Sequence, residues 1–234
     1  MRDDQEQLVL WPDMPSLRPP VAAIRPIKRP RPQLAPRDTE SSRYVPLVLA
    51  SASSSRVNIL RLLGLRFKVA PADLDESAVA ASTPEDLVSE LAFRKALSVS
   101  QRHSSDLTLA ADTLIIDGDG IIGKPNGIPD ARRTLERLSG ASHRVVTGLA
   151  VVDGTSARSV RKVTTTTVRF RAISSGTIER YLRTGEPIGK AGGYALQGIG
   201  ALLVESVDGE YSNVLGLPVA TFVDALFELG YELI

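Results

Sequence analysis

The stretch LTLAADTLIIDGDGIIGKP, residues 107–125, decides how the chain is read. Leu107, Leu109 and Ala111 alternate with Thr108 and Ala110, a pattern that suits a buried strand. Asp112 interrupts the apolar run, which resumes at Leu114, Ile115 and Ile116. Residues 117–120, Asp-Gly-Asp-Gly, predict a tight hairpin turn, because glycine supplies the positive φ such turns need. A short second strand over residues 121–123 then leads to Lys124 and Pro125. An ionised carboxylate inside an apolar strand is costly unless it is paired or metal-bound. Asp112 therefore either ends its strand by bonding nearby backbone or serves a chemistry that needs a charge there. Both readings stand on this stretch alone.

Upstream, residues 45–50 (VPLVLA) predict a first apolar strand. Ser51-Ala52-Ser53-Ser54-Ser55-Arg56 follows, then a helix with Ile59, Leu60 and Leu63 on one face and Gly64 at its end. Such a helix start offers backbone N–H groups and hydroxyls to an anion, phosphate above all. Arg56 adds a fixed positive charge. The loop lacks the glycines and the Gly-Lys-Ser/Thr ending of a P-loop, and its plain alternative is a serine-rich helix cap. Phe67 and Val69 mark a short strand. Asp73, Asp75 and Glu76 then cluster in a loop, as ligands for a divalent ion or as solvated surface. Thr83-Pro84-Glu85-Asp86 opens a helix whose apolar stripe is Val88, Leu91, Ala92 and Ala96. Lys95 lies inside that stripe, where it either snorkels to the rim or meets a negative group such as a triphosphate.

Downstream, residues 130–138 predict a helix with Ala131, Leu135 and Leu138 inward. Residues 143–152 and 160–170 predict two paired strands, the second rich in β-branched threonine and valine. Ser174 or Ser175 caps a helix through Ile178, Tyr181 and Leu182. The loop KAGGYALQGIG, residues 190–200, contains four glycines and predicts close backbone approach to another group. Gln197 in it offers both a donor and an acceptor, as reading a base edge requires. Residues 201–207 and 213–215 predict a hairpin about Asp208-Gly209. Pro218 opens a last helix with Val219, Phe222, Val223, Leu226 and Phe227 inward.

With 234 residues the chain suffices for one large domain or two small ones. No apolar run reaches the ~18 residues of a membrane span. The chain has no cysteine, which excludes disulfides and cysteine-based metal sites or nucleophiles and fits the cytoplasm. The two histidines, His103 and His143, cannot form a multi-histidine metal cluster. Residues 1–43 hold eight of the fifteen prolines, and residues 25–37 carry five basic residues and no acid. That composition predicts a disordered or polyproline-like basic arm ahead of a folded domain over residues 44–234. The arm has 8 basic and 6 acidic residues, and the rest has 20 and 21, a net −1. A near-neutral folded part argues against a nucleic-acid-binding domain.

The motifs occur in the order Ser-Ala-Ser-x-x-Arg (51–56), Asp-Glu (75–76), Arg-Lys-Ala (94–96), Ala-Asp-Thr (111–113) and Gly-Lys-Pro (123–125). Leu-Ser-Gly-x-x-His (138–143) and Lys-Ala-Gly-x-Tyr-x-x-Gln-Gly (190–198) complete the series. Together, over about residues 46–230, they resemble the Maf family of nucleoside triphosphate pyrophosphatases. The resemblance implies an α/β fold: an elongated mixed β-sheet with flanking helices and two lobes around a central cleft. It implies hydrolysis of a nucleoside triphosphate to the monophosphate and pyrophosphate, with a divalent cation, Mg²⁺ or Mn²⁺. Asp112, Glu76 and Lys95 would then be catalytic, with Asp112 and Glu76 holding the metal. Ser51, Ser53, Arg56, Thr113, Lys124, Lys190 and Gln197 would bind substrate. Thr113 and Gln197 are similar to the members acting on dTTP and UTP. Those members usually read Ser-x-Ser-Pro-Arg-Arg, whereas Ser54 and Ser55 stand here in place of proline and the first arginine, which implies a broader nucleotide range. The expected partner is the nucleotide, with a homodimer left open and no membrane or nucleic acid. Two rival readings remain: a nucleotide-binding regulator of cell division and septum formation without turnover, and a nucleic-acid-binding module using the basic arm.

Overall fold

The computed structural model describes residues 24–26, 45–118 and 120–233. In order, the elements are β1 (Ile24–Pro26), β2 (Leu47–Leu49), α1 (Ser54–Leu62), β3 (Phe67–Val69), α2 (Pro84–Ser100), β4 (Leu107–Asp117), β5 (Gly120–Ile122) and α3 (Ile128–Leu138). Then come β6 (Ser142–Asp153), β7 (Ser159–Phe170), α4 (Ser175–Arg183), β8 (Val204–Asp208), α5 (Tyr211–Val214), α6 (Val219–Leu229) and β9 (Tyr231–Leu233). The main sheet has seven strands in the order β3-β2-β4-β6-β7-β8, with β5 paired to β4. β2 is parallel to β3 and β4, and the other pairs are antiparallel, so the sheet is mixed.

β4 is the backbone of the molecule. Along one edge it pairs with β6 from Leu107 to Ile116. On the other edge β2 covers Leu107–Leu109 and β5 covers Ile115–Asp117. Residues 110–114 lie in the gap between those two partners. The strand does not end at Asp112, which pairs with Gly148 of β6 inside the ladder. Side chains on a strand alternate between faces, so Asp112 and Thr113 point to opposite sides of the sheet at this gap.

The face that carries Thr113 holds two apolar clusters. Leu107, Leu109, Ala111, Leu149 and Val151 pack with Ile59 and Leu60 of α1 and Phe222 and Leu226 of α6. Ile115 and Val145 pack with Leu135 and Leu138 of α3, Tyr181 of α4 and Tyr194. Between the clusters sits a polar pair, the Thr113 and Thr147 hydroxyls 2.9 Å apart. This is the form the two-lobe expectation takes: two cores along one sheet face with a polar waist between them.

The opposite face is covered by α2. Thr83 caps that helix, its hydroxyl accepting from the Asp86 N–H at 3.1 Å, and Pro84 occupies its first turn. Val88, Leu91, Ala92 and Ala96 are buried as the apolar stripe requires. The helix lies hard against β6, because a Cβ on Gly148 would sit 2.1 Å from the Val88 carbonyl oxygen. Lys95 lies seven residues after Val88, two turns on and on the same face.

Three expectations are corrected. Ile24–Pro26 falls within the arm read as unstructured, yet it is a strand paired with β9, with Ile24 only 3% exposed. Pro26 is tolerated because it lies at the end of a strand in a two-stranded ribbon. The remainder of residues 1–43 lies outside the described residues. The second correction concerns residues 201–215, which form no hairpin. Ile199–Leu203 is a 3₁₀ turn, β8 pairs with β7, and Tyr211–Val214 is a short helix. The Asn213 amide is drawn into the sheet, donating to the Val145 carbonyl at 2.9 Å and the Thr166 hydroxyl at 3.1 Å. Finally, α6 buries Phe222, Ala225, Leu226 and Leu229 while Phe227 is 67% exposed, so its inward face is rotated from the predicted stripe.

Candidate active site

The gap in β4 gathers charge from both faces. On the α2 side, Lys95 Nζ donates to Asp112 Oδ1 at 2.5 Å and lies 2.7 Å from Glu76 Oε1. Lys95 and Asp112 are both largely buried, with side chains 12% and 13% exposed, whereas the Glu76 side chain is 58% exposed. Glu76 begins a 3₁₀ turn capped by Asp75, whose carboxylate accepts from the Ser77 N–H at 3.1 Å. Asp75 is thus a cap, and Glu76 is the acid of that cluster that reaches the lysine. Lys95 does not snorkel to the rim; it bridges two carboxylates.

On the other face, Arg56 projects from the first turn of α1. Its Nη2 donates to the Thr113 hydroxyl at 3.1 Å, its Nη1 to the Ser51 hydroxyl at 3.1 Å and its Nε to the Gly216 carbonyl at 2.7 Å. These bonds tie together the loop after β2, the middle of β4 and the loop after α5. Burial pulls the Arg56 pKa below its ordinary value, opposed by Asp112 and Glu76, which lie close enough to favour its charge. Ser53 is the N-cap of α1, its hydroxyl accepting from the Arg56 N–H. The N-terminus of α1 and its anion-favouring dipole therefore open on the same gap. Lys95, Asp112, Glu76 and Arg56 together carry two positive and two negative formal charges.

Seven predicted residues thus converge: Ser51, Ser53, Arg56, Glu76, Lys95, Asp112 and Thr113. Three do not join them directly. No side-chain hydrogen bond or ion pair links Lys124, Lys190 or Gln197 to this cluster among the described residues. Lys124 is exposed and lines a recess of about 290 Å³ with Asp130, Arg133 and Arg137. Gln197 lines a larger recess of about 740 Å³, opposite Asn58, Arg61 and Leu62 of α1 and beside Tyr211. Lys190 is half-buried at the start of the glycine-rich loop. That loop docks on the hairpin through its backbone, Gly192 N–H donating to the Gly123 carbonyl at 3.1 Å. Gly192 has φ 70°, and a Cβ there would lie 2.6 Å from Ile115 Cδ1.

Sequence reasoning missed the supports of this site. Asn213 holds the loop whose Gly216 carbonyl receives Arg56. Gly148 admits α2 to the sheet opposite Asp112. A lone glycine inside a strand of valines was the available signal for the second. His143 also works out of sight, its Nε2 2.8 Å from the Tyr194 hydroxyl beneath the glycine-rich loop.

Among the described residues no three His, Cys, Asp or Glu side chains converge on a point that could hold a metal. The protein's own donor set at the gap is therefore two carboxylates, Asp112 and Glu76. Mg²⁺ is commonly held by one or two carboxylates, with waters and substrate phosphates completing its shell, and the pair fits that requirement. Among the described residues no helix is long and apolar enough to cross a membrane.

Known proteins resemble this chain over most of its length. The family described as Maf-like protein matches residues 46–229. A dTTP/UTP pyrophosphatase from Desulforamulus reducens is 41% identical over 189 residues, covering 81% of this chain and 99% of its own. One from Gloeobacter violaceus is 44% identical over 184 residues, covering 79% of this chain and 96% of its own. Among solved structures, a HAM1 protein from Coxiella burnetii aligns with 54% of this chain and 73% of its own, at a TM-score of 0.40 and 18% identity.

Proposed function

The chain belongs to the Maf family, and from that premise we propose that it hydrolyses nucleoside triphosphates to the monophosphate and pyrophosphate at the gap in β4. The observation that supports this most is the bridge of Lys95 between Asp112 and Glu76, with Arg56 and the α1 N-terminus beside it. Attack by water on the α-phosphorus gathers negative charge on phosphate oxygens and on the departing pyrophosphate. Preorganised cations and N–H groups stabilise that charge without reorganising. Arg56 is held in place by three bonds, so it meets the phosphates in a fixed orientation. Lys95 presents its ammonium to the same gap. Asp112 accepts the proton of the attacking water, as a general base within reach of it must. A divalent cation, Mg²⁺ or Mn²⁺, held by Asp112 and Glu76 would neutralise phosphate charge and lower the pKa of a bound water.

The base lies in the larger recess, against Gln197 and the Tyr211 ring. The relatives' activity toward dTTP and UTP supports a pyrimidine substrate, while Ser54 and Ser55 in place of Pro-Arg support a broader set. Turnover of this kind suits a house-cleaning role in the cytoplasm, and the enzyme names of the relatives do not favour a regulator without turnover. The test is a panel of dTTP, UTP, CTP, ATP, GTP and 7-methyl-GTP with Mg²⁺ or Mn²⁺, scored for pyrophosphate release. Highest kcat/KM for dTTP and UTP, or a flat profile across bases, is expected. Release of orthophosphate in place of pyrophosphate, or preference for 7-methyl-GTP, would contradict the reading.

A further inference from the structure

Glu186 lies in the turn after α4, outside every motif that points to chemistry, yet it is the most connected acid in the glycine-rich region. Its Oε1 accepts from the Tyr181 hydroxyl at 2.8 Å and from the Gly200 N–H at 2.8 Å. Its Oε2 accepts from the Ile199 N–H at 2.9 Å. The Tyr181 hydroxyl in turn accepts from the Ala195 N–H at 3.2 Å. One carboxylate thereby grips the chain on both sides of Gln197, at residue 195 through the phenol and at residues 199 and 200 directly. Burial works against the Glu186 charge, but the Gly200 N–H, the Tyr181 hydroxyl, the Ile199 N–H and nearby Lys190 outweigh it and hold its pKa below the ordinary value.

The fit is close. A Cβ on Gly198 would lie 2.2 Å from Glu186 Oε2, and one on Gly200 would lie 2.7 Å from the Tyr181 hydroxyl. Gly198 has φ −125°, which any residue adopts, so a side chain there would meet the carboxylate and push it aside rather than strain the backbone. Gln197 itself is exposed on the wall of the larger recess, and its amide has no hydrogen bond among the described residues. Its place is therefore set by its backbone, and its backbone is set by Glu186.

We propose that Glu186 is a positioning residue for base discrimination: its carboxylate fixes the segment that presents Gln197 to the nucleobase of the substrate. This rests on the reading of the recess as the base site. Glu186 touches neither the phosphates nor the Asp112 cluster, so its loss acts on recognition and spares the chemical step. In Glu186→Gln the amide nitrogen replaces one acceptor with a donor that faces the backbone N–H groups.

The test is steady-state kinetics of Glu186→Gln on dTTP, UTP, ATP and GTP beside the wild-type protein. Loss of a charge-assisted anchor predicts a rise in KM for the preferred nucleotide of about tenfold, with kcat within about twofold. The spread of kcat/KM across bases should narrow with it. Gly198→Ala, which displaces the same carboxylate while leaving it present, should give the same split and serves if Glu186→Gln does not fold. An unchanged KM and unchanged spread in an active protein would overturn the proposal, as would a fall in kcat at constant KM. A wild-type protein that releases no pyrophosphate from any nucleotide would instead defeat the parent reading, and this one with it.

Discussion

The two ends of the proposed site are built by opposite means. At the gap in β4, side chains from two helices, a strand and two loops meet one another directly: Lys95 with Asp112 and Glu76, Arg56 with Thr113 and Ser51. In the glycine-rich loop the side chains that would meet substrate make no such bonds. The backbone is held instead, by Glu186 on its N–H groups and by glycines packed against the hairpin. At the first end the charges are bonded before any ligand arrives, Lys95 to Asp112 and Glu76, and Arg56 to two hydroxyls and a carbonyl. The second end leaves its donors and acceptors open for a ligand to satisfy. Phosphate charge is the same for every nucleotide and suits fixed cations, whereas bases differ and suit a wall whose amides are uncommitted.

The comparison breaks most severely at Gly148. Gly148→Ala places a Cβ 2.1 Å from the Val88 carbonyl oxygen, and backbone cannot yield as a side-chain end can. Forcing α2 off the sheet should cost about 1–3 kcal/mol of stability. It should also carry Lys95 away from Asp112, and a shift of ~1 Å at such a site costs on the order of 10² in rate. Thermal unfolding and kcat on the same variant check both effects. A loss of stability with normal kcat would separate helix packing from the charge cluster.

How much of this was legible in sequence follows the same division. A charge in an apolar pattern stands out, so Asp112 inside its strand and Lys95 inside the α2 stripe were visible and did meet. The pairing of β4 with β5, the paired β6 and β7 and the caps of α2 and α4 were visible because their signals are local. What stayed hidden is held by partners far along the chain. Ile24–Pro26 became a strand only by pairing with Tyr231–Leu233. Residues 211–214 became a helix rather than a strand because the Asn213 amide reaches Val145 and Thr166. Glu186 gave no warning, since a surface-type acid in a Gly-Glu-Pro turn reads as solvated until Ile199 and Gly200 fold back on it.

The loop end should answer to acid through His143. Burial pushes the His143 pKa from 6.5 down to about 4, against a weaker upward pull from Asp117. The unfolded chain takes up a proton near pH 6.5 that the folded chain refuses until about pH 4. Stability contributed by neutral His143 is therefore complete above that window and is lost as pH falls through it, by up to about 3 kcal/mol. Denaturant unfolding from pH 7 to pH 4 measures the slope, and His143→Gln should flatten it. An equal slope in the variant would assign the acid sensitivity elsewhere.

The smallest effect on rate is expected from removing residues 1–43, of which the described part, Ile24–Pro26, pairs with β9 away from both ends of the site. The same truncation removes Ile24 from the core beneath α6 and unpairs β9. Burial of one isoleucine is worth about 1.5–3 kcal/mol, so the truncated protein should melt earlier while its kcat and KM stay at wild-type values. A change in KM would connect the arm to the substrate.

The central claim is that Asp112 is charged for chemistry rather than for folding, and the most direct measurement is pyrophosphate release and melting temperature on Asp112→Asn. Loss of a general base lowers kcat by ~10²–10⁴-fold. Stability should change little, because Lys95 keeps Glu76 as its partner. A folded Asp112→Asn protein that melts well below the wild type but releases pyrophosphate at the wild-type rate would contradict the account.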